Sequence, residues 1–249
     1  MAQLEEYANK YDNIHMERRD GILQLTFHSE GDSLRWGLIP NREFGFAFAD
    51  IGSDPENKVV IMTGTGEDFC VQRGGPLPSI KTPQDWDAVY WDSKKLLTNL
   101  LDIEAPIISA INGPATYRAE IPVLSDVVLA SDTAVFQDPN HFALGAVPAD
   151  GVQVVWPMLL GQNRGRYFLL TGQKLSAQEA LELGVVAEVL PQEKLLPRAW
   201  ELAEQFAQRP SLTLRYTRAV FTHQIKRAMQ DMLGYGLALE GLGILGASH

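Results

Sequence analysis

KVVIMT at residues 58–63 and PIISAI at 106–111 decide the fold. Each is a continuous apolar run of strand length, ended by a turn. Gly64 and Gly66 stop the first, and Asn112-Gly113-Pro114 stops the second. An unbroken apolar run fits a strand buried on both faces. Between the two, residues 83–103 read as a long amphipathic helix. Its first residue is proline, placed where a missing N–H costs least. Strand, helix, strand with so long a crossover implies α/β with mostly parallel pairing.

Working outward, ILQLTF at 22–27 alternates apolar and polar residues like a half-buried strand, and 42–51 reads as a helix. Residues 126–130 and 134–136 are further strands. After about residue 150 the pattern changes. Residues 151–160, 165–171, 176–183, 194–208 and 212–245 read as helices, broken by one strand at 185–190. Gly161-Gln162-Asn163 and Gly172 punctuate them. The expected plan is a core over 1–190 and a helical region over 191–249, with no linker between.

Composition removes several classes of function. The 249 residues are 45% apolar, enough for a sizeable core. A net charge of −10 argues against nucleic acid and against anionic membrane surfaces. Cys70 is the sole cysteine, so an intrachain disulfide and a cysteine-pair zinc site are both excluded, and a reducing cytoplasm is the expected compartment. The opening MAQLEEYANKYDN is polar and acidic, unlike a signal peptide, and no apolar run is long enough to span a membrane. His15, His28, His141, His223 and His249 are scattered, without a metal signature. GLGILG at 241–246 matches a dinucleotide-binding string but lacks the strand before it and the helix after it. Neither a P-loop nor a GxSxG elbow occurs.

The stretch that carries chemistry is FQDPNHFALGAVPADG at 136–151. Its prolines and glycines make it a shaped loop at the end of a strand, where function tends to sit. It holds one neutral-pH base, His141, and a carboxylate nine residues later, Asp150. A carboxylate on one ring nitrogen fixes the tautomer and frees the other nitrogen as base. No serine or cysteine nucleophile accompanies the pair, so water is the natural third member. Two other readings stand beside this one: Asp150 as an N-cap for the helix after Gly151, and Asp138 as the partner of His141.

Five stretches together resemble the crotonase (enoyl-CoA hydratase/isomerase) superfamily. They are KVVIMTGTGEDFC (58–70), APIISAINGPA (105–115), SDVVLASDTAVFQDP (125–139), LGAVPADG (144–151) and LTGQKLSAQEALELGVVAEVLP (170–191). Their order and spacing match the family over about residues 14–215. The resemblance implies a crotonase-type spiral of ββα units. Its helical C-terminal region would serve trimerisation, giving a homotrimer or a dimer of trimers.

The departures narrow the function. Hydratases of the family carry a catalytic glutamate near the end of a glycine-rich turn. Here that segment is NGPATYRAEIP, with Ile121 at the glutamate position and Glu120 beside it. The second hydratase glutamate falls on His141, and the oxyanion-hole glycine falls near Arg118. The other oxyanion strand reads FCVQRGG at 69–75. The pattern is similar instead to the branch of 6-oxocamphor hydrolase and related β-diketone hydrolases, which cleave a carbon–carbon bond between two ketones without CoA or another cofactor. FQD-x-x-H-x-x-x-G-x-VP-x-DG, then VVWP (154–157) and NRGRYFLLTG (163–172), carry that likeness. It implies His141, Asp150 and Glu240 as catalytic residues and Trp36 in the substrate pocket. The branch's carbonyl-holding histidine is replaced here by Arg118, so Arg118 or Tyr117 is expected to donate to the carbonyl. Phe69, Trp86, Tyr90 and Trp91 are candidates for an apolar wall. The competing expectations are a CoA-dependent hydratase or isomerase using Glu120, and a crotonase-fold binding protein that has lost catalysis.

Overall fold

A computed structural model describes residues 2–72 and 80–247. A short helix α1 (Leu4–Tyr7) precedes the antiparallel hairpin β1 (Ile14–Arg19) and β2 (Ile22–Phe27). The two-residue strand β3 (Arg35–Trp36) leads into α2 (Leu38–Ser53). Next come β4 (Val59–Gly64), the short β5 (Val71–Gln72), α3 (Pro83–Asp102) and β6 (Ile107–Ile111). A single helical turn, α4 (Glu120–Val123), precedes β7 (Val127–Ser131) and β8 (Val135–Phe136). The C-terminal part holds α5 (Val152–Leu160), α6 (Gln162–Thr171), β9 (Leu175–Ser176), α7 (Ala177–Glu182), β10 (Glu188–Leu190), α8 (Gln192–Ala207) and α9 (Ser211–Ala247).

The main sheet runs β1-β2-β4-β6-β7-β10, parallel at every pairing except the first hairpin. Its two faces explain the unbroken apolar runs. Val60 and Met62 of β4, with Ile107 and Ile111 of β6, face a large core shared with α2 and α3. Val59 and Ile61, with Ile108 and Ala110, face a second layer closed by Leu195, Ala199 and Ala203 of α8. Period-2 alternation thus sends neighbouring side chains into two different cores.

Several expected boundaries shift. The strand expected at 185–190 contracts to β10. Val185 and Val186 instead donate their amides to Ala180 O, which closes the end of α7. The glycine string at 241–246 lies inside α9, so it forms no dinucleotide loop. The part of the 69–75 segment from 73 onward lies outside the described residues.

Two local devices bring functional segments together. Asn112, just past β6, accepts from Gly64 N at 3.1 Å and donates to Gly66 O at 3.0 Å. A Cβ at the next residue, Gly113, would overlap the Glu67 carbonyl, so only glycine lets the two loops touch. At the other end, buried Arg218 of α9 donates to Ile103 O at 2.7 Å and to Asp126 at 2.5 Å. That anchors the long helix to the ends of α3 and of the β6–β7 connection.

Candidate active site

Four segments converge on one cavity of about 450 Å³. The chain after β6 brings Tyr117, Arg118 and Glu120, and the loop between β8 and α5 brings Asp138, His141 and Asp150. Asn41 comes from α2 and Glu240 from α9. Trp36, Ile80, Trp86, Val89 and Ile244 supply apolar wall. Charged groups therefore gather on one side of an otherwise apolar pocket, the usual anatomy of a small-molecule site.

His141 begins a single 3-10 turn, Phe142–Leu144, which ends on left-handed Gly145. Its Nδ1 lies 2.7 and 2.9 Å from the two carboxylate oxygens of Asp138. Its Nε2 faces Asp150 at 3.4 Å and Glu240 at 3.8 Å. The partner on Nδ1 is thus Asp138, three residues upstream, while the expected partner Asp150 faces the other ring nitrogen. The same Asp150 oxygen, Oδ2, also meets the guanidinium of Arg118, so Asp150 faces both cations. Asp150 does not cap α5: glycine, without a side chain to cap with, holds the N-cap position at Gly151, and its amide donates to Gln153 Oε1 at 2.9 Å.

Arg118 organises the other half. Besides Asp150 it reaches Glu120 at 3.2 Å and Asn41 Oδ1 at 3.1 Å, and Asn41 in turn donates to Ser93 at 3.3 Å. Its guanidinium also lies 5.6 Å from the Trp36 ring centre. The backbone at Arg118 is left-handed, with φ 54°. A non-glycine residue held there stores local strain, a feature that clusters at functional sites.

These contacts set the charges. Burial opposes charge on His141, but Asp150 and Asp138 outweigh it and hold the imidazole well above its usual pKa. Burial would raise Asp150, yet Arg118 and His141 hold it below the carboxylate range. Glu240 goes the other way, raised first by burial and then by the negative charge of Asp150. Glu120 is raised by the same two causes. Near neutral pH these shifts favour an imidazolium and a guanidinium facing ionised Asp150, with Glu240 inclined to hold a proton. Carboxyl groups pushed to opposite extremes within one cavity mark acid–base chemistry.

Three buried polar atoms have no hydrogen-bond partner among the described residues: Arg118 Nε, Asp150 Oδ1 and Glu240 Oε2. Burying such groups unpaired is costly, and their residues all line the same cavity. They provide one donor and two acceptors for a ligand. Tyr117 also lines the cavity, and burial keeps its phenol protonated as a further donor. Ligand atoms of His141, Asp150 and Glu240 lie within 4.8 Å of one another, a spacing that a cation could bridge. The guanidinium on Asp150 and the proton on His141 both oppose a divalent ion there.

Other expectations meet the structure unevenly. Trp36 lines the cavity, as does Trp86. Phe69 does not: it is fully buried and packs edge-on against Phe27 at 5.7 Å, within the core. Tyr90 and Trp91 are likewise absent from the wall, and Trp91 is half exposed. Asn41 and Ser93 carry little signal in the sequence, only a polar residue on an otherwise buried helix face. Asp138 had a better one, a carboxylate three residues before the histidine in DPNH.

Changing Asp138 to Asn should lower the His141 titration midpoint, because the imidazolium loses an adjacent negative charge. Side-chain ¹⁵N NMR across a pH series measures this. An unmoved midpoint would show that Asp138 does not hold the ring.

The profile of the family described as enoyl-CoA hydratase/isomerase matches residues 17–238. The chain belongs to that family. The carnitinyl-CoA dehydratase of Citrobacter koseri is 30% identical over 215 residues, covering 84% of this chain and 80% of that one. A beta-diketone hydrolase from the cyanobacterium Anabaena sp. PCC 7120, solved with (S)-3-oxocyclohexyl acetic acid bound, is more similar. It is 48% identical with a TM-score of 0.95, and the match covers 98% of both chains. An enoyl-CoA hydratase/isomerase from Mycobacterium paratuberculosis shares the fold at a TM-score of 0.86 and 24% identity. The crotonase-type architecture expected from the sequence is thus the one this enoyl-CoA hydratase/isomerase family member adopts. Among the described residues, no helix is long and apolar enough to cross a membrane.

Proposed function

We propose that this protein hydrolyses a carbon–carbon bond of a cyclic β-diketone by a retro-Claisen reaction, without CoA. The observation that carries the reading is His141 Nε2 facing two buried acids, Asp150 and Glu240, each with one unpaired oxygen, inside an apolar cavity. The likeness to a beta-diketone hydrolase at 48% identity supports it.

In the proposed path, water lies between His141 Nε2 and Glu240. His141 in its neutral form takes one proton, and Asp138 stabilises the imidazolium that results. The water oxygen bonds to one carbonyl carbon, and that carbonyl's π pair moves onto its oxygen. The intermediate then re-forms a C=O and breaks the adjacent carbon–carbon bond. The released pair is delocalised onto the second ketone oxygen as an enolate. Arg118 Nε and the Tyr117 hydroxyl are the donors available to oxygens that gain charge. The proton held at His141 or Glu240 returns to the enolate carbon. One diketone and one water thus become one keto acid, with no redox partner.

A second reading, a CoA-dependent hydro-lyase, draws on Glu120 lining the cavity and on the carnitinyl-CoA dehydratase relatives. Against it, Glu120 is tied to Arg118, and that guanidinium already serves two carboxylates. A CoA phosphate would need cations still free to pair. The test offers cyclic β-diketones, followed by loss of diketone absorbance and release of one equivalent of acid, alongside crotonyl-CoA. Diketone turnover with crotonyl-CoA inert is expected. Hydration of crotonyl-CoA that disappears in Glu120→Gln would sink the hydrolase reading.

A homotrimer or dimer of trimers is also proposed. Exposed Tyr216, Val220 and Phe221 on α9 support a surface that a second copy would cover.

A further inference from the structure

We infer that Trp86 is a positioning residue for Glu240: its indole, seated on a glycine notch in α9, fixes where that carboxyl stands against His141. This rests on the proposed role of Glu240, since a seat matters only if its occupant acts.

Thr82 and Asp85 form a reciprocal capping box, with Asp85 N donating to Thr82 Oγ1 at 3.2 Å and Thr82 N donating to Asp85 at 2.9 Å. Trp86 is the next residue, so it stands on a first turn that is already fixed. Its Nε1 donates to Leu237 O of α9 at 2.9 Å in a buried contact. Leu237 belongs to the last buried turns of the helix, three residues before Glu240.

The notch is Gly241. A Cβ at that position would overlap the indole at Nε1, Cδ1 and Cε2. Any larger residue would push α9 off Trp86, or Trp86 into the cavity that it lines. Glycine in a helix interior costs about 1 kcal/mol relative to alanine, so a close approach of this kind is the compensating use. A second seat lies on the other side. A Cβ at Gly236 would overlap Ala149 O and the Gln153 amide, and Gln153 bonds to Ala149 O at 3.0 Å. Ala149 precedes Asp150. One turn of α9 is therefore gripped from α3 and from the segment that carries Asp150, and Glu240 projects from between the grips.

A side chain acting only as cavity wall would need neither the hydrogen bond to Leu237 O nor the notch. Trp86 does both, so its loss should act through Glu240. Trp86→Phe keeps an aromatic wall and removes the N–H. Gly241→Ala keeps the N–H and fills the notch. Both should lower kcat by about tenfold with KM little changed, because small displacements of an acid–base group cost rate rather than ground-state binding.

The deciding measurements are a double-mutant cycle and a titration. In a Glu240→Gln background, Trp86→Phe should cause no further loss of kcat. ¹³C NMR of labelled glutamate carboxyls, with Glu240 assigned by its absence in Glu240→Gln, should show its midpoint fall toward the ordinary range in both Trp86→Phe and Gly241→Ala. Charged or titrating neighbours of Glu240 are His141, Asp150, Asp138 and Arg118, and all four are retained in these variants. Fully additive losses, or an unmoved Glu240 midpoint in both variants, would overturn the inference. If wild type turns over no diketone, the hydrolase reading fails while the titration still decides whether Trp86 seats Glu240.

Discussion

Replacing Arg118 with methionine should destabilise the protein by about 3–5 kcal/mol, the range for breaking a buried ion pair by removing one partner. The guanidinium bonds Asp150, Glu120 and Asn41 from a position where little water reaches. Methionine fills similar space but leaves ionised Asp150 with His141 alone to offset it, and Glu120 beside it. Urea unfolding at neutral pH measures the loss. The sign with pH follows. Asp150 is held low in the folded state, so its pairing contributes above its unfolded value and fades as the pH falls through the folded one. The Arg118→Met penalty should therefore shrink in strong acid. A second change, Asp150→Asn, should restore part of the stability by removing the stranded charge. A penalty below about 1 kcal/mol would place Arg118 among weak surface-like pairs and would remove the argument that it anchors Asp150.

The second large effect is on turnover. His141→Ala should reduce kcat by about 10⁴-fold, the upper range for losing a positioned acid–base group. Circular dichroism should be unchanged, since the side chain ends at the cavity. In the wild type, the imidazolium must shed its proton before water can be activated. The rate should accordingly rise with pH through a midpoint above that of an ordinary histidine, since Asp150 and Asp138 hold the proton on. An acid limb at or below the usual histidine value, or a His141→Ala variant as fast as wild type, would remove His141 as the base.

Much of this was legible in the chain. β4 and β6 announce themselves because burial on both faces requires unbroken apolar runs. The loop 136–151 stands out because it sets a histidine among carboxylates and turn residues. Less legible was who pairs with whom. His141 has a carboxylate three residues before it and another nine after it, and spacing cannot rank them. Both are used: Asp138 takes Nδ1, while Asp150 faces Nε2 and shares its oxygen with Arg118, which comes from a different segment. Phe69 was misplaced for a related reason: an aromatic at a strand end can turn toward the core or the cavity, and here Phe27 claims it. Trp86 had no one-dimensional signal for its second task, because the Gly241 that makes room for it is distant in the chain, on α9.

α9 has a mechanical consequence. It runs for 37 residues, pinned at Arg218 near one end and bearing Glu240 near the other. At a rise of about 1.5 Å per residue, the arm between them is roughly 33 Å, so each degree of pivot at the pin would swing the carboxyl by roughly 0.6 Å. Met229 and Leu233 bury the middle of that arm, and the two glycine seats act as the rest for its far end. Loosening the rest leaves the pin intact and lets the tip wander.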